Sequence, residues 1–390
     1  MNNLCIDVGH NSLKKFGEEL CGDHINVIQN NQNSIIMVLA DGLGSGVKAN
    51  ILSTLTAKII STMMEQSMPI EDCVNTIAST LPVCKDGETA YSTFTIIKIT
   101  DSVNAEIIQY DNPKVILLRD GENSNYSIVE MTIENKKILY SKIVLKENDM
   151  LVSMSDGALH AGVESELNYN WKRDNIIDFL QIVYEQDFTA KTMTTILLDQ
   201  CNKLYGEKPS DDTTVCTIKI RKRKALNLLF GPPSNYDDDE KMMTEFFSKK
   251  GLHVVCGGTT SQIAARFLGE EISENLLCLD PEIPPTAKIR GIELVTEGVI
   301  TINKVLLYSE NYLQDNEKFK EWAYKKDGAS LIARMLFEDS TDINFFVGKA
   351  INPANQNPDQ PIDHTIKVQL IEKLTKNLKS MGKKVRIKYF

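Results

Sequence analysis

Residues 23–41 read DHINVIQNNQNSIIMVLAD. Two runs with strand character, 24–29 and 34–40, flank a polar turn, Asn30 to Asn33, so the segment reads as a β-hairpin. The turn centres between positions 31 and 32, which sets Asp23 opposite Asp41 to within one residue of register. The two carboxylates then face each other at one end of the hairpin, roughly 5–6 Å apart. At an effective dielectric near 20 such a pair repels by about 3 kcal/mol. A divalent cation offsets that cost.

Outward from the hairpin, further strands are expected at 92–99, 104–110, 114–119, 126–132, 142–145, 150–155 and 213–220, with helices at 46–65, 70–80 and 174–203. In the first helix Leu52, Leu55, Ile59 and Met63 form an apolar stripe suited to packing on a sheet. Hairpin strands with helices set aside give an α+β class, with sheets packed face to face and helices outside. Two further acidic positions repeat the placement of the first pair. Asp156 ends the strand MLVSMS and precedes Gly157, and Asp211 and Asp212 open the strand TTVCTIKI. Four carboxylates converging on one rim form an oxygen-only donor set, suited to Mg²⁺ or Mn²⁺ rather than zinc or copper. Gly42 allows a sharp turn at which a main-chain carbonyl joins them.

Composition narrows the classes. The 390 residues carry a net charge of −10, whose field repels phosphate backbones and argues against a general nucleic-acid binder. No run approaches the apolar length of a membrane helix, and the first residues lack the regions of a signal peptide, so a cytoplasmic protein is expected. The cysteines are scattered singly and no histidine pair has helical ligand spacing, which leaves little for a zinc site. The glycine-rich GLGSGVKAN (42–50) lacks the Lys-Ser or Lys-Thr ending of a nucleotide P-loop.

Five blocks occur in order: GEELCGDHINV (17–27), VLADGLGSGVKAN (38–50), ETAYSTFTIIKI (88–99), LKENDMLVSMSDGALHAGV (145–163) and SDDTTVCTIKI (210–220). Together they resemble the sporulation-type, SpoIIE-like serine/threonine phosphatases of the metal-dependent PPM family, over about residues 10–222. The resemblance implies an αββα sandwich with two Mn²⁺ or Mg²⁺ ions at one end of the sheets. Asp23 and Asp41 match the aspartates of the bridging metal site, Gly42 the glycine that ligates through its carbonyl, and Asp156 and Asp211 the remaining metal aspartates. It also implies a bacterial-style hydrolase in which a metal-bridging water attacks phosphoserine or phosphothreonine on a regulatory protein, such as an anti-sigma-factor-antagonist-like domain. Two features depart from the eukaryotic pattern: Lys14 and Lys15 stand where an arginine precedes the first acidic block, and Leu43 replaces a histidine. His24, beside Asp23, is the histidine candidate, and Glu18 and Glu19 are weighed as ligands against plain surface acids. The alternatives are a phosphomonoesterase of small molecules with the same metal chemistry and a pseudophosphatase scaffold.

A second domain is expected from about residue 225 to 390, with the boundary placed at 224 after RKRK. LNLLF then a helix over 237–250, HVVC then a helix over 259–268, and the later segments IELV, INFFV and VRIKY suggest a smaller α/β layer with partly parallel strands. Gly257, Gly258, Thr259 and Thr260 open a helix, a place suited to a small anionic effector in a regulatory, ligand-binding or docking domain. The polar loop 352–359 is a candidate wall of the same crevice.

Overall fold

The computed structural model describes residues 3–29, 33–80, 92–133, 136–162, 171–274, 280–314, 319–350 and 363–390. Most of the hairpin turn, the start of the third sequence block, Val163 and the loop 352–359 therefore lie outside the described residues. The chain divides into two compact units, Met1–Lys222 and Arg223–Phe390. Among the described residues no helix is long and apolar enough to cross a membrane.

The first unit runs β1 (Leu4–Leu13), β2 (Asp23–Gln29), β3 (Ile35–Gly42), α1 (Gly46–Glu65), α2 (Ile70–Thr80), β4 (Ser92–Thr100), β5 (Asn104–Tyr110), β6 (Ile116–Arg119), β7 (Glu122–Asn123), β8 (Val129–Ile133), β9 (Lys136–Val144), β10 (Met150–Met154), α3 (Gly157–His160), α4 (Arg173–Val183), α5 (Ala190–Leu204) and β11 (Thr213–Lys222). Two antiparallel sheets, ordered β1-β11-β10-β6-β7 and β2-β3-β4-β5-β9-β8, form the middle layers. Between them Met37, Leu39 and Ile97 pack with Leu151, Ile218 and Ile220. On the outer face of the second sheet, Val38, Ala40 and Ile96 meet Leu52 and Ile60 of α1. On the outer face of the first, Val152 and Val215 meet Leu180 of α4 and Met193 and Leu197 of α5. The unit is an αββα sandwich. β3 is covered on both faces, which is why its sequence, IIMVLA, is continuously apolar rather than alternating.

Three local expectations are corrected. The helix read over 174–203 is two helices, broken at 184–189. There the buried Lys219 of β11 donates from Nζ to the carbonyls of Gln186 (2.6 Å) and Phe188 (2.7 Å), while Thr189 caps α5 by accepting from Thr192 N–H. The stripe on α1 is rotated: Leu52 is buried, but Leu55 is 42% exposed, and the sheet-facing set is Ala49, Leu52, Thr56, Ala57, Ile60 and Met64. Strand β1 was not expected, because an edge strand carrying Gly9 has little apolar alternation. Gly9 is required there: a Cβ would stand 2.2 Å from Lys191 N at the start of α5.

The second unit runs β12 (Ala225–Phe230), α6 (Asp239–Phe247), β13 (Leu252–Cys256), α7 (Gly258–Leu268), β14 (Ser273–Glu274), β15 (Ala287–Ile289), β16 (Ile292–Thr296), α8 (Val299–Leu313), α9 (Phe319–Trp322), α10 (Gly328–Arg334), β17 (Asp342–Val347), α11 (Asp363–Ser380) and β18 (Lys384–Tyr389). Its sheet is ordered β14-β15-β16-β13-β12-β17-β18. The five strands from β16 to β18 are all parallel, and only the β14–β15 and β15–β16 pairings are antiparallel. Helices α6 and α7 cover one face through Met243, Phe246 and Ile263, and α8, α10 and α11 cover the other through Ile302, Ile332 and Ile371. This is a doubly wound α/β layer whose chain reverses direction at β12, between β13 and β17.

Lys219→Met removes both charge-assisted bonds to the 186–188 carbonyls. Stability is expected to fall by about 2–4 kcal/mol in urea unfolding, with faster amide exchange over 184–189. Unchanged stability would show that the break between α4 and α5 does not depend on this ammonium.

Candidate metal centre

In the hairpin register Asp23 stands directly opposite Asp41, one at the start of β2 and the other near the end of β3. The ladder holds them there, since every following pair from His24–Ala40 to Gln29–Ile35 is in step. Asp23 is buried, and its Oδ2 accepts 2.7 Å from Ser155 Oγ. Ser155 in turn accepts from Thr214 N–H (2.9 Å), so one hydroxyl ties the β2 edge of one sheet to β10 and β11 of the other. The second oxygen of Asp23, Oδ1, is buried and has no hydrogen-bond partner.

The remaining acids reach this rim by close backbone approach. A Cβ on Gly157 would stand 2.1 Å from Asp212 O, so the turn after Asp156 can lie against the start of β11 only because it is glycine. At Gly22 it is the Asp212 side chain that comes close, with Oδ2 only 2.8 Å from where a Cβ would be. A Cβ on Gly42 would stand 2.1 Å from Ala49 O in α1. Asp212 is buried, accepts Lys15 N–H through Oδ1 (3.0 Å), and leaves Oδ2 without a partner.

Electrostatics show what the rim lacks. Burial pushes the Asp41 carboxyl far up, to about 9, and the charges of Asp23, Asp156 and Asp211 add to the shift. Burial likewise raises Asp23, opposed by its bonds from Ser155 and Thr214. Both carboxyls of the pair are thus pushed above the usual carboxylate range, Asp41 the further. Asp211 is raised by burial and by Asp156, with Lys15 pulling the other way. Asp156 is about half exposed, with His160 Nε2 4.0 Å from its Oδ2. Among the described residues no three His, Cys, Asp or Glu side chains close around a common point. Asp23 and Asp41 form the facing pair, and Asp156 and Asp211 stand within electrostatic reach of Asp41 without completing a shell.

The other sequence candidates take different places. His24 turns to the opposite face of β2 from Asp23, where burial and Lys58 of α1 lower its pKa. Glu18 lies against Gly46 and accepts from Ser45 Oγ (3.2 Å) at the start of α1, so that helix end already has an anion of the protein's own. Arg119 is committed to Asp149, at 3.0 Å, away from phosphate recognition. Gly257, Gly258, Thr259 and Thr260 belong to the second unit. Sequence reading missed Ser155 and Gly22. A serine one position before an expected ligand carries no signal until two sheets bring it against Asp23.

A family model described as Stage II sporulation protein E (SpoIIE) matches residues 31–221. The first unit is SpoIIE-like. Among solved structures, the PP2C phosphatase domain with a fragment of the regulatory domain of the cell fate determinant SpoIIE from Bacillus subtilis is 18% identical, with a TM-score of 0.47. That match covers 57% of this chain and 64% of the other, so the chain spans just under two thirds of that relative's length. RsbX in complex with magnesium is 19% identical (TM-score 0.40; 55% and 96% covered), and the catalytic domain of the serine threonine protein phosphatase PstP with two manganese ions is 16% identical (TM-score 0.40; 56% and 99% covered). No curated protein matches the chain.

The raised carboxyl fixes a pH dependence of the SpoIIE-like unit. A group whose folded pKa lies above its unfolded value of 3.8 contributes stability that is present below about pH 4 and lost as pH rises toward 9. Metal-free protein is therefore expected to lose stability across that window. Asp41→Asn should flatten the curve and melt about 2–4 °C or more above the parent at pH 8, but not at pH 4. Parallel melting curves at both pH values would contradict the raised Asp41 carboxyl.

Proposed function

We propose that the SpoIIE-like unit is a metal-dependent protein serine/threonine phosphatase acting on phosphoserine or phosphothreonine of a regulatory protein. The observation that carries this reading is the Asp23–Asp41 pair, held in register by the ladder, with one buried carboxylate oxygen left without a partner. All the donors are oxygens, and the charge they concentrate matches two Mn²⁺ or Mg²⁺ ions. Asp23, Asp41, the carbonyl of Gly42, Asp156 and Asp211 would be the groups that hold the ions. Held there, the ions would supply an acidified water and would offset charge on the phosphoryl oxygens.

The chain's own groups prepare that chemistry. Ser155 fixes Asp23 in one rotamer, so an uncommitted oxygen faces Asp41. The raised Asp41 carboxyl would have to be ionised to hold a cation, which would make metal loading depend on pH. Lys15, whose charge already acts on Asp211, stands in place of the missing arginine as the contact for a substrate phosphate oxygen. All four acidic positions are intact, which disfavours a pseudophosphatase.

A protein substrate is favoured over a small metabolite by the surface beside the rim. Leu43 follows Gly42 and is 52% exposed, and Val47 (57%), Ile51 (53%) and Leu55 (42%) continue at four-residue spacing along one face of α1. An apolar strip beside a charged rim suits a folded partner that presents its phosphoserine, in the manner of an anti-sigma-factor-antagonist-like domain.

Mn²⁺-dependent hydrolysis of p-nitrophenyl phosphate and of a phosphoserine peptide is expected in the parent, with Asp41→Asn and Asp156→Asn each losing about tenfold or more in kcat/KM. Turnover retained in both variants would reject the site. Ile51→Glu should leave p-nitrophenyl phosphate turnover unchanged while lowering kcat/KM on a folded phosphoserine antagonist domain by about tenfold. Equal effects on the two substrates would point to a small-molecule phosphatase.

A further inference from the structure

The second unit has its own chemical rim, at the carboxyl ends of its parallel strands. Four of these strands end in glycine-bearing loops: Gly231 after β12, Gly257 after β13, Gly298 after β16 and Gly348 after β17. Backbone bonds knit the loops together. Gly231 N–H donates to Cys256 O, Gly257 N–H to Thr296 O and Gly348 N–H to Phe230 O. The loops pack so closely that a Cβ on Gly348 would stand 2.0 Å from Pro232 O. This rim includes the point where the doubly wound order reverses, which in open α/β sheets is where ligands bind.

Within it the start of α7 is set apart. Gly257 has φ +122°, a conformation open to glycine, and makes no side-chain cap, and the first turn holds no acidic residue. The N–H groups of Gly258, Thr259 and Thr260 have no acceptor within the helix, and Gly258 and Thr259 are exposed. Thr260 is fully buried, yet its Oγ1 has no hydrogen-bond partner. That oxygen points at the loop, 3.0 Å from where a Cβ on Gly257 would be. A buried, unbonded hydroxyl is unfavourable, and a ligand oxygen can satisfy it. The neighbouring helix gives the contrast. At the start of α8, Glu297 Oε2 already accepts Ile300 N–H (3.2 Å), so that end has its anion. A cation stands on the same rim: Lys367 of α11 is buried, donates from Nζ to Ala350 O (3.1 Å) and lies 3.7 Å from the Cβ position of Gly231.

We propose that the second unit binds a small phosphorylated metabolite, with its phosphate on the N–H groups of Gly258 and Thr259 and the hydroxyl of Thr260, and Lys367 supplying positive charge. This site is separate from the metal centre and does not depend on the phosphatase reading.

Full chain stripped of metal with EDTA is titrated with pyrophosphate, AMP and adenosine, with binding followed by calorimetry and by amide exchange over 257–262. Pyrophosphate and AMP should bind and slow exchange in that segment, and adenosine should do neither. Thr260→Val should weaken AMP by about tenfold, as should Lys367→Gln, whereas Thr260→Ser, which keeps the hydroxyl, should bind like the parent. The proposal is overturned if neither phosphate protects 257–262 at millimolar concentration, if adenosine binds as tightly as AMP, or if Thr260→Val and Thr260→Ser behave alike. The local exchange readout separates this site from any phosphate taken up by the SpoIIE-like unit.

Discussion

Two carboxylates forced together by a β-ladder organise the first unit. Nothing in the hairpin lets Asp23 and Asp41 move apart, because seven consecutive cross-strand pairs share their register and the apolar face of β3 locks that register into the core. A one-residue slip would turn Met37 and Leu39 out of the sandwich, so the price of relieving the repulsion is the core itself. Ser155 then carries the constraint across to the other sheet, the glycines at 42 and 157 let neighbouring backbone crowd in, and Gly22 leaves room for the Asp212 carboxylate. The fold concentrates negative charge at one rim, and burial together with the neighbouring charges raises the Asp41 carboxyl well above the usual carboxylate range.

The second unit applies the opposite electrostatics. Its parallel strands deliver helix starts to the rim, and helix starts present N–H groups and positive dipole ends. Where the antiparallel sandwich gathers oxygen atoms suited to a cation, the parallel layer gathers donors suited to an anion, with Thr260 and Lys367 beneath or beside them. The difference follows from strand direction. Antiparallel hairpins bring both a strand start and a strand end to one edge, so side chains there decide the chemistry, whereas parallel strands each feed a helix and the backbone decides it.

The residues alone determined the hairpin register, the extents of α1 and α2, the acids of the rim and the strand-then-helix texture after residue 224, because each is written in short-range periodicity, turn chemistry or motif order. Tertiary structure decided the rest. Whether a helix continues through 184–189 depends on a lysine thirty residues downstream, which face of α1 is buried depends on how the sheet meets it, and the role of Ser155 exists only once two sheets close over Asp23. Likewise the sequence marks GGTT as a helix start suited to an anion, but the buried, unpartnered hydroxyl of Thr260 emerges only in the structure. Local patterns are fixed by neighbours along the chain, but hydrogen bonding, burial and charge are settled by neighbours in space, which no spacing rule contains.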